Sequence, residues 1–361
     1  MTKPDRLRHR WWIILCAISI TFFCVGCSMT NPYYDASVPH HTKNGFRNNY
    51  LTEPIGGSFL KWQWERTVQG VPKPPANQYQ FPRMQPDLAW LRQNRSATSA
   101  TWIGHATVLM QVAGLNLITD PVFSERASPL SFMGPRRRVP LPMTLAQLPH
   151  IDVVLISHNH YDHLDRASVQ QLNRQAGGPP LFLVPLGIKP WMAQAGIDNV
   201  REMDWWQQTE LAGLDLTFVP AQHWSARWLT DRFQTLWGGW MVRTTATAPT
   251  PFSFYFAGDT GYSKDFADIQ QRFPSIDLAL LPIGAYEPRW FMHNQHVNPA
   301  DAVKIHRDLH ASKSIAIHWG TFELTDEPLD APPVALAAAL QAAHIAQTDF
   351  MVLQHGQTIR F

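Results

Sequence analysis

Cysteine is nearly absent from this 361-residue chain, since its three copies, Cys16, Cys24 and Cys27, all lie near the N-terminus. The residues after Cys27 therefore form no disulfide framework among themselves. They also offer no thiolate that could act as a metal ligand or as a nucleophile. Any catalytic or metal site in this part of the chain must use other side chains.

Charge is also scarce. Asp, Glu, Lys and Arg make up only 16% of the residues, and the formal net charge is +2. A chain so close to neutrality has no overall basic field to attract nucleic acid, and no additional nucleic-acid module is recognisable. We therefore expect no nucleic-acid partner. The hydrophobic content of 45% is enough to build a sizeable core.

The apolar run at residues 11–25 is about 15 residues long, whereas a comfortable membrane-spanning helix needs about 20. Four Lys and Arg residues against one acid precede it. A basic segment followed by a short apolar run is typical of a secretory signal. The run closes with Cys24-Val25-Gly26-Cys27, which resembles a bacterial lipobox with Cys27 as the lipidated residue.

We therefore predict a lipoprotein-type signal peptide at residues 1–27, with acylated Cys27 as a membrane anchor. An uncleaved signal anchor is the alternative interpretation. Both place the protein in the bacterial cell envelope, on a membrane and outside the cytoplasm. Ser28, where inner-membrane lipoproteins tend to have Asp, favours the outer membrane by this resemblance.

The composition and the apolar pattern of the remaining chain change near residue 98. Residues 28–97 are rich in Pro, Asn and aromatic residues, and stretches such as residues 71–75 (VPKPP) cannot hold a long helix. They predict an extended arm that packs on the main domain, with a partly mobile tether to the membrane as the alternative. In residues 98–361, strand-like runs alternate with helical windows at about 164–175, 299–310 and 333–344. The runs are Thr101–Gly104, Thr107–Val112, Asn116–Thr119, Ile151–Ser157, Leu181–Val184, Leu214–Val219, Phe252–Ala257, Leu278–Pro282 and Ser314–His318. This alternation predicts one layered α/β domain.

A dense group of polar side chains follows the buried run at Ile151–Ser157. Three imidazoles and a carboxylate lie within six residues, at His158, His160, Asp162 and His163. A loop at a strand end can bring such groups to one point while the strand holds the loop rigid. Histidine nitrogen and aspartate oxygen are ligands that zinc accepts, so the motif predicts a metal site.

This HxHxDH motif after a buried strand resembles the signature of the metallo-β-lactamase superfamily. The resemblance implies an α/β fold of the αββα sandwich type, with two mixed sheets flanked by helices. It also implies two zinc ions, although manganese, iron or nickel would suit the same ligands. His158, His160 and His223 would hold one metal, Asp162, His163 and His318 the other, and Asp259 would bridge the two.

Other segments resemble one branch of that superfamily, the N-acylphosphatidylethanolamine-hydrolysing phospholipase D family. They include residues 102–107 (WIGHAT), 284–292 (GAYEPRWFM), 295–299 (QHVNP) and 316–322 (AIHWGTF). The likeness extends from about residue 40 to the C-terminus. It implies a phospholipid substrate met at a membrane surface. A metal-bound hydroxide would cleave it to N-acylethanolamine and phosphatidic acid.

The same resemblance implies catalytic roles for three residues, Asp162, Gln295 and His296. His296, with Gln295 beside it, would be the general acid or would bind the phosphate. Asp120 and His105 would support the site by orienting its ligands. For His296 and His105, purely structural roles are the alternatives.

Two surface features bear on lipid binding. Arg136-Arg137-Arg138 is either a contact for anionic headgroups or a solvated basic loop. Several tryptophans could line an acyl groove or enter the interface, although core packing is the commoner role: Trp205, Trp206, Trp224, Trp228 and Trp237.

Two other functions stay open from the sequence. The fold also serves hydrolases of other esters, such as lactones or cyclic phosphates, and fold does not fix function. The third hypothesis about function is a non-catalytic envelope lipoprotein, which a degraded metal motif would favour. The acyl-chain preference, the metal and the oligomeric state are not determined by the sequence.

Overall fold

A computed structural model describes residues 30–50, 58–76, 78–246 and 250–361. The predicted signal peptide, with Cys24 and Cys27, lies outside these ranges. The helices are α1 Ser58–Gln69, α2 Leu88–Gln93, α3 Arg166–Asn173, α4 Lys189–Gln194, α5 Asp265–Arg272, α6 Arg289–Met292, α7 Pro299–Asp308 and α8 Ala331–Ala343, with a 3₁₀ turn at Leu145–Gln147. The strands are β1 His41–Thr42, β2 Gly45–Phe46, β3 Ser99–Gly104, β4 Thr107–Val112, β5 Leu115–Thr119, β6 Val153–Leu155, β7 Leu181–Pro185, β8 Val200–Met203, β9 Gln208–Leu211, β10 Leu214–Val219, β11 Gly239–Thr244, β12 Ser253–Phe256, β13 Ile276–Pro282, β14 Ala311–Ile317, β15 Phe350–Met351 and β16 Thr358–Arg360.

Two seven-stranded mixed sheets form the body of the molecule. The first has the strand order β16-β3-β4-β5-β6-β7-β8 and the second β15-β14-β13-β12-β11-β10-β9. Counted from β16 in the first sheet and from β9 in the second, three antiparallel pairings are followed by three parallel ones. The two mixed sheets, flanked by helices, confirm the predicted α/β sandwich.

The first sheet is buried on both faces, and its side chains alternate between two cores. On β6, Val153 and Leu155 belong to the core shared with the second sheet, while Val154 faces the core beneath α2, α3 and α4. A strand covered on both sides needs no polar positions. This is why the run at residues 151–157 is almost continuously apolar.

The strands that carry the predicted site all end at the same edge. Asp120 follows β5, the HxHxDH loop follows β6, and His223 follows β10. Asp259 and His318 follow β12 and β14. Because parallel neighbours end on the same side, side chains from both sheets converge there.

The N-terminal arm is partly helical. It contains the twelve-residue α1 and the six-residue α2, which the proline-rich composition did not predict. α1 ends at Gln69, just before the proline-rich stretch that blocks a longer helix. Within the described part of the chain, no helix combines the length and apolar character needed to cross a bilayer.

A small hairpin, β1-β2, fixes the beginning of the arm to the main domain. His40 Nε2 and His41 Nε2 lie 2.6 and 2.9 Å from the two carboxylate oxygens of Asp204. Gly45 has φ of +149°, and a Cβ there would lie 2.1 Å from the Phe233 carbonyl oxygen. Only glycine allows this close approach of two backbones.

Candidate active site

All seven predicted metal ligands meet at the shared edge of the two sheets. They form two groups whose ligand atoms lie within 4.8 Å of one another, one with His158, His160, His223 and Asp259, and one with His105, Asp162, His163 and His318. His105, from the turn between β3 and β4, is the additional member.

In the first group, three imidazole nitrogens point at one another. His160 Nδ1 lies 2.8 Å from His158 Nε2 and 3.3 Å from His223 Nε2. The opposite nitrogens of two rings are fixed by neighbours. His223 Nδ1 lies 2.8 Å from the Gln295 carbonyl oxygen, and His158 Nδ1 lies 2.9 Å from Ser157 Oγ. With the ring protons on these outer nitrogens, the inner lone pairs of His158 and His223 are free to bind a metal.

The second group is built around two carboxylates. Asp162 Oδ2 lies 3.3 Å from His163 Nε2 and 3.4 Å from His318 Nε2. Asp259 lies between the groups, with one oxygen 3.2 Å from His163 Nε2 and the other 3.1 Å from His318 Nε2. The same Asp259 Oδ2 is 3.9 Å from His158 Nε2. This places Asp259 where a bridging carboxylate would have to be.

Two residues predicted to support the site hold its ligands directly. Asp120 is fully buried and accepts a hydrogen bond from His163 Nδ1 at 2.7 Å and one from Ser157 Oγ at 2.5 Å. Such a carboxylate–histidine pair fixes the ring so that Nε2 faces the metal. His105 Nε2 lies 3.0 Å from Asp162 Oδ2 and orients that carboxylate.

The imidazoles of the first group are neutral at neutral pH. Burial lowers the pKa of His158 and His223 well below the usual imidazole value. Burial also lowers the pKa of His160, to about 4. A neutral imidazole is the form that binds a metal.

The carboxylates of Asp162, in the second group, and of Asp259, between the two groups, are ionised. Burial by itself would raise their pKa, but the neighbouring His163 charge and hydrogen bonds from imidazoles hold the pKa of Asp162 and Asp259 well below the usual range. Conversely, these two carboxylates keep the pKa of His163 well above its usual value despite its burial. The arrangement stabilises positive charge at the centre of the group.

Three of these residues have a left-handed backbone. The φ angles of His105, Asp120 and His318 are +53°, +29° and +59°. Side-chain-bearing residues adopt this region at a cost of about 1–3 kcal/mol each, and such strain concentrates at functional sites. Here the unusual backbone aims all three side chains into the cluster.

A metal fits this cluster. Two nitrogen ligands on one tetrahedral zinc are separated by about 3.3 Å, close to the spacing in the first group. Several buried polar atoms have no hydrogen-bond partner among the described residues: His160 Nε2, Asp259 Oδ1, His296 Nδ1 and His318 Nδ1. Convergent imidazole lone pairs with two buried carboxylates beside them are surroundings that a bound cation stabilises.

Comparison with protein families gives one match, the beta-lactamase superfamily domain, over residues 115–319. The chain belongs to the metallo-β-lactamase superfamily. This confirms the resemblance that the HxHxDH motif indicated.

Two relatives share the branch suggested by the sequence. An N-acyl-phosphatidylethanolamine-hydrolyzing phospholipase D of Caenorhabditis elegans is 40% identical over 277 residues, covering 73% of this chain and 76% of that protein. The mitochondrial N-acyl-phosphatidylethanolamine-hydrolyzing phospholipase D of Saccharomyces cerevisiae is 38% identical, covering 63% of this chain and 48% of that protein.

A solved structure supports the fold alone. The isothiocyanate hydrolase from Delia radicum gut bacteria has a TM-score of 0.57 with 22% identity, and the match covers 73% of this chain and 99% of that one. Taken with the superfamily match and the two clusters, these findings show a metal-dependent hydrolase fold. The protein is a hydrolase.

A cavity of about 630 Å³ opens above the cluster, as expected for a superfamily hydrolase. His160, Asp162 and Asp259 of the cluster line it. Its other walls are mainly apolar, and they come from the arm helix α1, from α6 and from the segment after β14: Phe59, Trp62, Phe291, Met292 and Leu324. The arm therefore forms part of the substrate cavity.

His296 and Gln295, the two predicted catalytic residues outside the metal set, both line this cavity. His296 Nδ1 lies 3.8 Å from Asp259 Oδ2, and burial lowers the pKa of the imidazole to about 4. Gln295 acts differently from its neighbour. Its carbonyl oxygen fixes His223, whereas its side-chain amide contacts Met292 Sδ at 3.6 Å.

Two residues near the site were not identified from the sequence. Asn48, in the arm, forms two hydrogen bonds with the His223 backbone, accepting from the amide at 3.1 Å and donating to the carbonyl at 3.0 Å. Arg232 lines the cavity with its guanidinium 4.6 Å above the Trp224 ring. Asn48 could not be singled out because the arm contains many asparagines, and nothing in the local sequence distinguishes Arg232.

The three consecutive arginines have separate roles. Arg137 is buried and donates to the Val122 carbonyl, and Arg138 pairs with Glu323. Arg136 remains exposed beside Glu125. Only one of the three is therefore available to a headgroup.

The five tryptophans considered for lipid binding also lie in different surroundings. Trp205 and Trp237 are buried in the core, and Trp206 packs at its edge. Trp224 lines the cavity, and Trp228 is exposed.

Proposed function

We propose that this protein is a binuclear zinc phosphodiesterase that hydrolyses N-acylphosphatidylethanolamine-like lipids to N-acylethanolamine and phosphatidic acid. The observation that carries the proposal is that residues of the His/Asp cluster line the same cavity as a group of aromatic and aliphatic side chains. A phosphodiester between long acyl chains matches both parts of this site. The branch resemblance supports the same substrate class.

His158, His160 and His223 would hold one zinc ion and Asp162, His163 and His318 the other, with Asp259 between them. When bound, the metal pair supplies Lewis acidity and makes a water molecule nucleophilic at neutral pH. The chain's own contribution begins with alignment: Asp120, His105 and the Gln295 carbonyl hold ligand side chains in fixed orientations. This preorganisation removes the cost of arranging the site during reaction.

Arg232 and His296 would handle the substrate phosphate. Burial lowers the pKa of Arg232, and no described carboxylate lies within salt-bridge distance of its guanidinium. An arginine without a carboxylate partner that lines the cavity suits an anionic group of the substrate. His296 Nδ1 has no hydrogen-bond partner within the described chain. Because its imidazole is neutral at neutral pH, it would first accept a proton from the attacking water and would then give that proton to the departing alcohol oxygen.

The aromatic and aliphatic wall would bind an acyl chain. Trp62 and Phe291 pack with ring centroids 5.0 Å apart, which makes a rigid apolar surface on the cavity wall. Burying alkyl groups against it gains about 0.8 kcal/mol per methylene. Water is excluded from the polar end at the same time.

The test is an assay of the purified full chain, with metal content measured on the same sample. Turnover of N-acylphosphatidylethanolamine in mixed micelles is compared with a soluble phosphodiester and a lactone. We expect about two zinc ions per chain and release of N-acylethanolamine that His160→Ala and His296→Ala greatly reduce. Activity confined to the lactone would show that the substrate is another ester. A metal-free chain without turnover would favour a non-catalytic lipoprotein.

We also propose that the protein is anchored in the bacterial envelope through acylated Cys27. Metabolic labelling with a radioactive fatty acid in a bacterial host tests this. The Cys27→Ser variant should lose the label and Cys24→Ser, the matched control, should keep it. Equal labelling of both variants would contradict the assignment.

A further inference from the structure

The segment that carries His296 is neither helix nor strand. Residues 293–298 connect α6 to α7, and Gln295 and His296 within this segment line the active-site cavity. The amides of both residues donate to the Met292 carbonyl at 2.9 Å, close to the end of α6. A side chain on an irregular segment is held precisely only when surrounding hydrogen bonds fix that segment.

Arg289, the first residue of α6, supplies two of these hydrogen bonds. Its Nη1 donates to the His296 carbonyl oxygen at 2.7 Å, and its Nη2 donates to Asp301 Oδ2 at 2.8 Å. Asp301 lies in the first turn of α7, and its amide donates to the Asn298 side chain at 2.8 Å. Hydrogen bonds from a guanidinium are charge-assisted and stronger than those between neutral groups. One planar group therefore joins α6 and α7 and holds the backbone of His296 between them.

The loop before α6 lies against a predicted metal ligand. A Cβ at Gly284 would lie 2.2 Å from the His318 carbonyl oxygen. The Glu327 carboxylate fixes the loop by accepting hydrogen bonds from the amides of residues 285–287, at distances of 2.6–3.3 Å. The carboxylate of the last of these residues accepts a hydrogen bond from the Arg289 amide at 2.9 Å. The arginine is thus held in a fixed position relative to the metal cluster.

Arg289 does not bind the substrate directly. It is not among the described residues that line the cavity, and both of its terminal nitrogens already donate within the protein. Arg232 differs, because it lines the cavity with its guanidinium over the Trp224 ring. Any effect of Arg289 on the reaction would therefore act through the groups that it holds.

We propose that Arg289 is a positioning residue for proton transfer by His296. It holds the His296 carbonyl and thereby keeps the imidazole beside Asp259, whose Oδ2 is 3.8 Å from Nδ1. The proposal rests on the proposed function, in which this imidazole takes a proton from the attacking water and gives it to the departing alcohol. Proton transfer requires a separation of about 2.6–3.2 Å between the heavy atoms. A misplacement of about 1 Å can slow a reaction on the order of 100-fold.

The first test needs no substrate. Hydrogen–deuterium exchange of the full chain, purified with zinc, is followed by mass spectrometry on peptides that cover residues 293–298. Arg289→Gln should exchange these amides roughly tenfold faster, because the segment loses two charge-assisted hydrogen bonds. Arg243→Gln is the matched control, since Arg243 pairs with Asp215 between β10 and β11 instead. Unchanged exchange in Arg289→Gln would overturn the proposal.

A milder variant covers the case in which Arg289→Gln does not fold. Arg289→Lys keeps the charge but lacks the planar fork that makes both hydrogen bonds. It should increase exchange at residues 293–298 by a smaller factor. Exchange equal to that of the unaltered protein would contradict the assignment here too.

The second test measures the coupling between the two residues. Arg289→Gln should lower kcat for the soluble phosphodiester by about 10–100-fold with little change in KM. In the His296→Ala background, the same substitution should change kcat less than about twofold. Losses that multiply, or a loss of bound zinc in Arg289→Gln, would show that Arg289 acts independently of His296 and would overturn the proposal.

Chemical rescue separates positioning from general stability. The Arg289 side chain is 28% exposed, so a free guanidinium ion can reach the space that Arg289→Ala leaves. Millimolar guanidinium chloride should restore part of the lost kcat, whereas urea, which is planar but uncharged, should not. Equal effects of the two solutes would contradict the proposal. If the unaltered protein turns over no ester, the proposed function fails, and the exchange experiment still decides whether Arg289 holds the segment.

Discussion

At the scale of single residues, the site depends as much on the groups that hold ligands as on the ligands. Asp120 is the clearest case, because it fixes His163 through one oxygen and Ser157 through both. Ser157 in turn meets the outer nitrogen of His158. One carboxylate thus orients a ligand in each group.

We expect Asp120→Asn to weaken metal binding by about 10–100-fold, since the amide can no longer hold His163 with its proton on Nδ1. Competition with a chromophoric chelator measures this affinity. Asp277→Asn is the matched control, because Asp277 accepts hydrogen bonds from Ser253 far from the site. Equal metal affinity in Asp120→Asn and the unaltered protein would show that the carboxylate does not orient the ring.

Arg232→Gln should raise KM for an anionic phosphodiester by roughly tenfold with a smaller change in kcat, because the cavity loses its unpaired cation. Steady-state kinetics with the soluble phosphodiester measure the split. Arg272→Gln provides the control, since Arg272 also stacks on a tryptophan, Trp206, but outside the cavity. A fall in kcat alone would assign Arg232 a different role.

His296→Ala and Gln295→Ala should differ sharply although the residues are neighbours. The imidazole faces the reacting centre, whereas Gln295 acts through a backbone carbonyl that the substitution retains. We expect a loss in kcat of about 10²–10⁴-fold for His296→Ala and little change for Gln295→Ala. Similar losses in both would restore the side-chain role that the sequence suggested for Gln295.

At the scale of elements, the arm is part of the active site. It supplies α1 to the cavity wall and Asn48 to the His223 backbone, and β1-β2 fixes its beginning through Asp204. The sequence predicted an arm that packs on the main domain but not these contacts. A hydrogen bond between residues 175 positions apart has no local signature.

We expect Asn48→Ala to lower metal affinity at the His223 group and to reduce kcat, because the loop after β10 loses two hydrogen bonds. Asn49→Ala is the neighbouring control, since that side chain contacts Asp265 on α5 instead. Metal titration and kinetics on both variants distinguish the two positions. Equal behaviour would show that the contact only stabilises the arm.

At the scale of the whole molecule, the metal ligands join two similar halves. Both sheets have the same succession of antiparallel and parallel pairs, and each contributes ligands to the cluster. Metal removal should therefore lower the melting temperature, on the order of 5 °C. Calorimetry with and without a chelator measures this shift, and His160→Ala should show a smaller one. A metal-depleted protein that melts unchanged would contradict the coupling.

The sequence predicted this architecture where signals were local. Strands β4 and β10 have the predicted bounds. The polar loop follows the buried run that ends at Ser157, as predicted. β8 and β9 were missed because their alternating polar residues at the sheet edge resemble loop composition. The partners of Asp120, His105 and Arg232 could not be predicted in detail, because they arise only when separate strand ends meet.

The attachment of the arm also has a mechanical consequence. A pulling force applied at Thr30 travels along the backbone and first meets the hydrogen bonds of Asn31 and of the Tyr33 hydroxyl, which donates to Glu202. It then meets the two histidine contacts to Asp204. Asn48 and the His223 loop lie further along the same path. The histidine pair therefore carries tension applied at the N-terminal end before that tension reaches the metal centre.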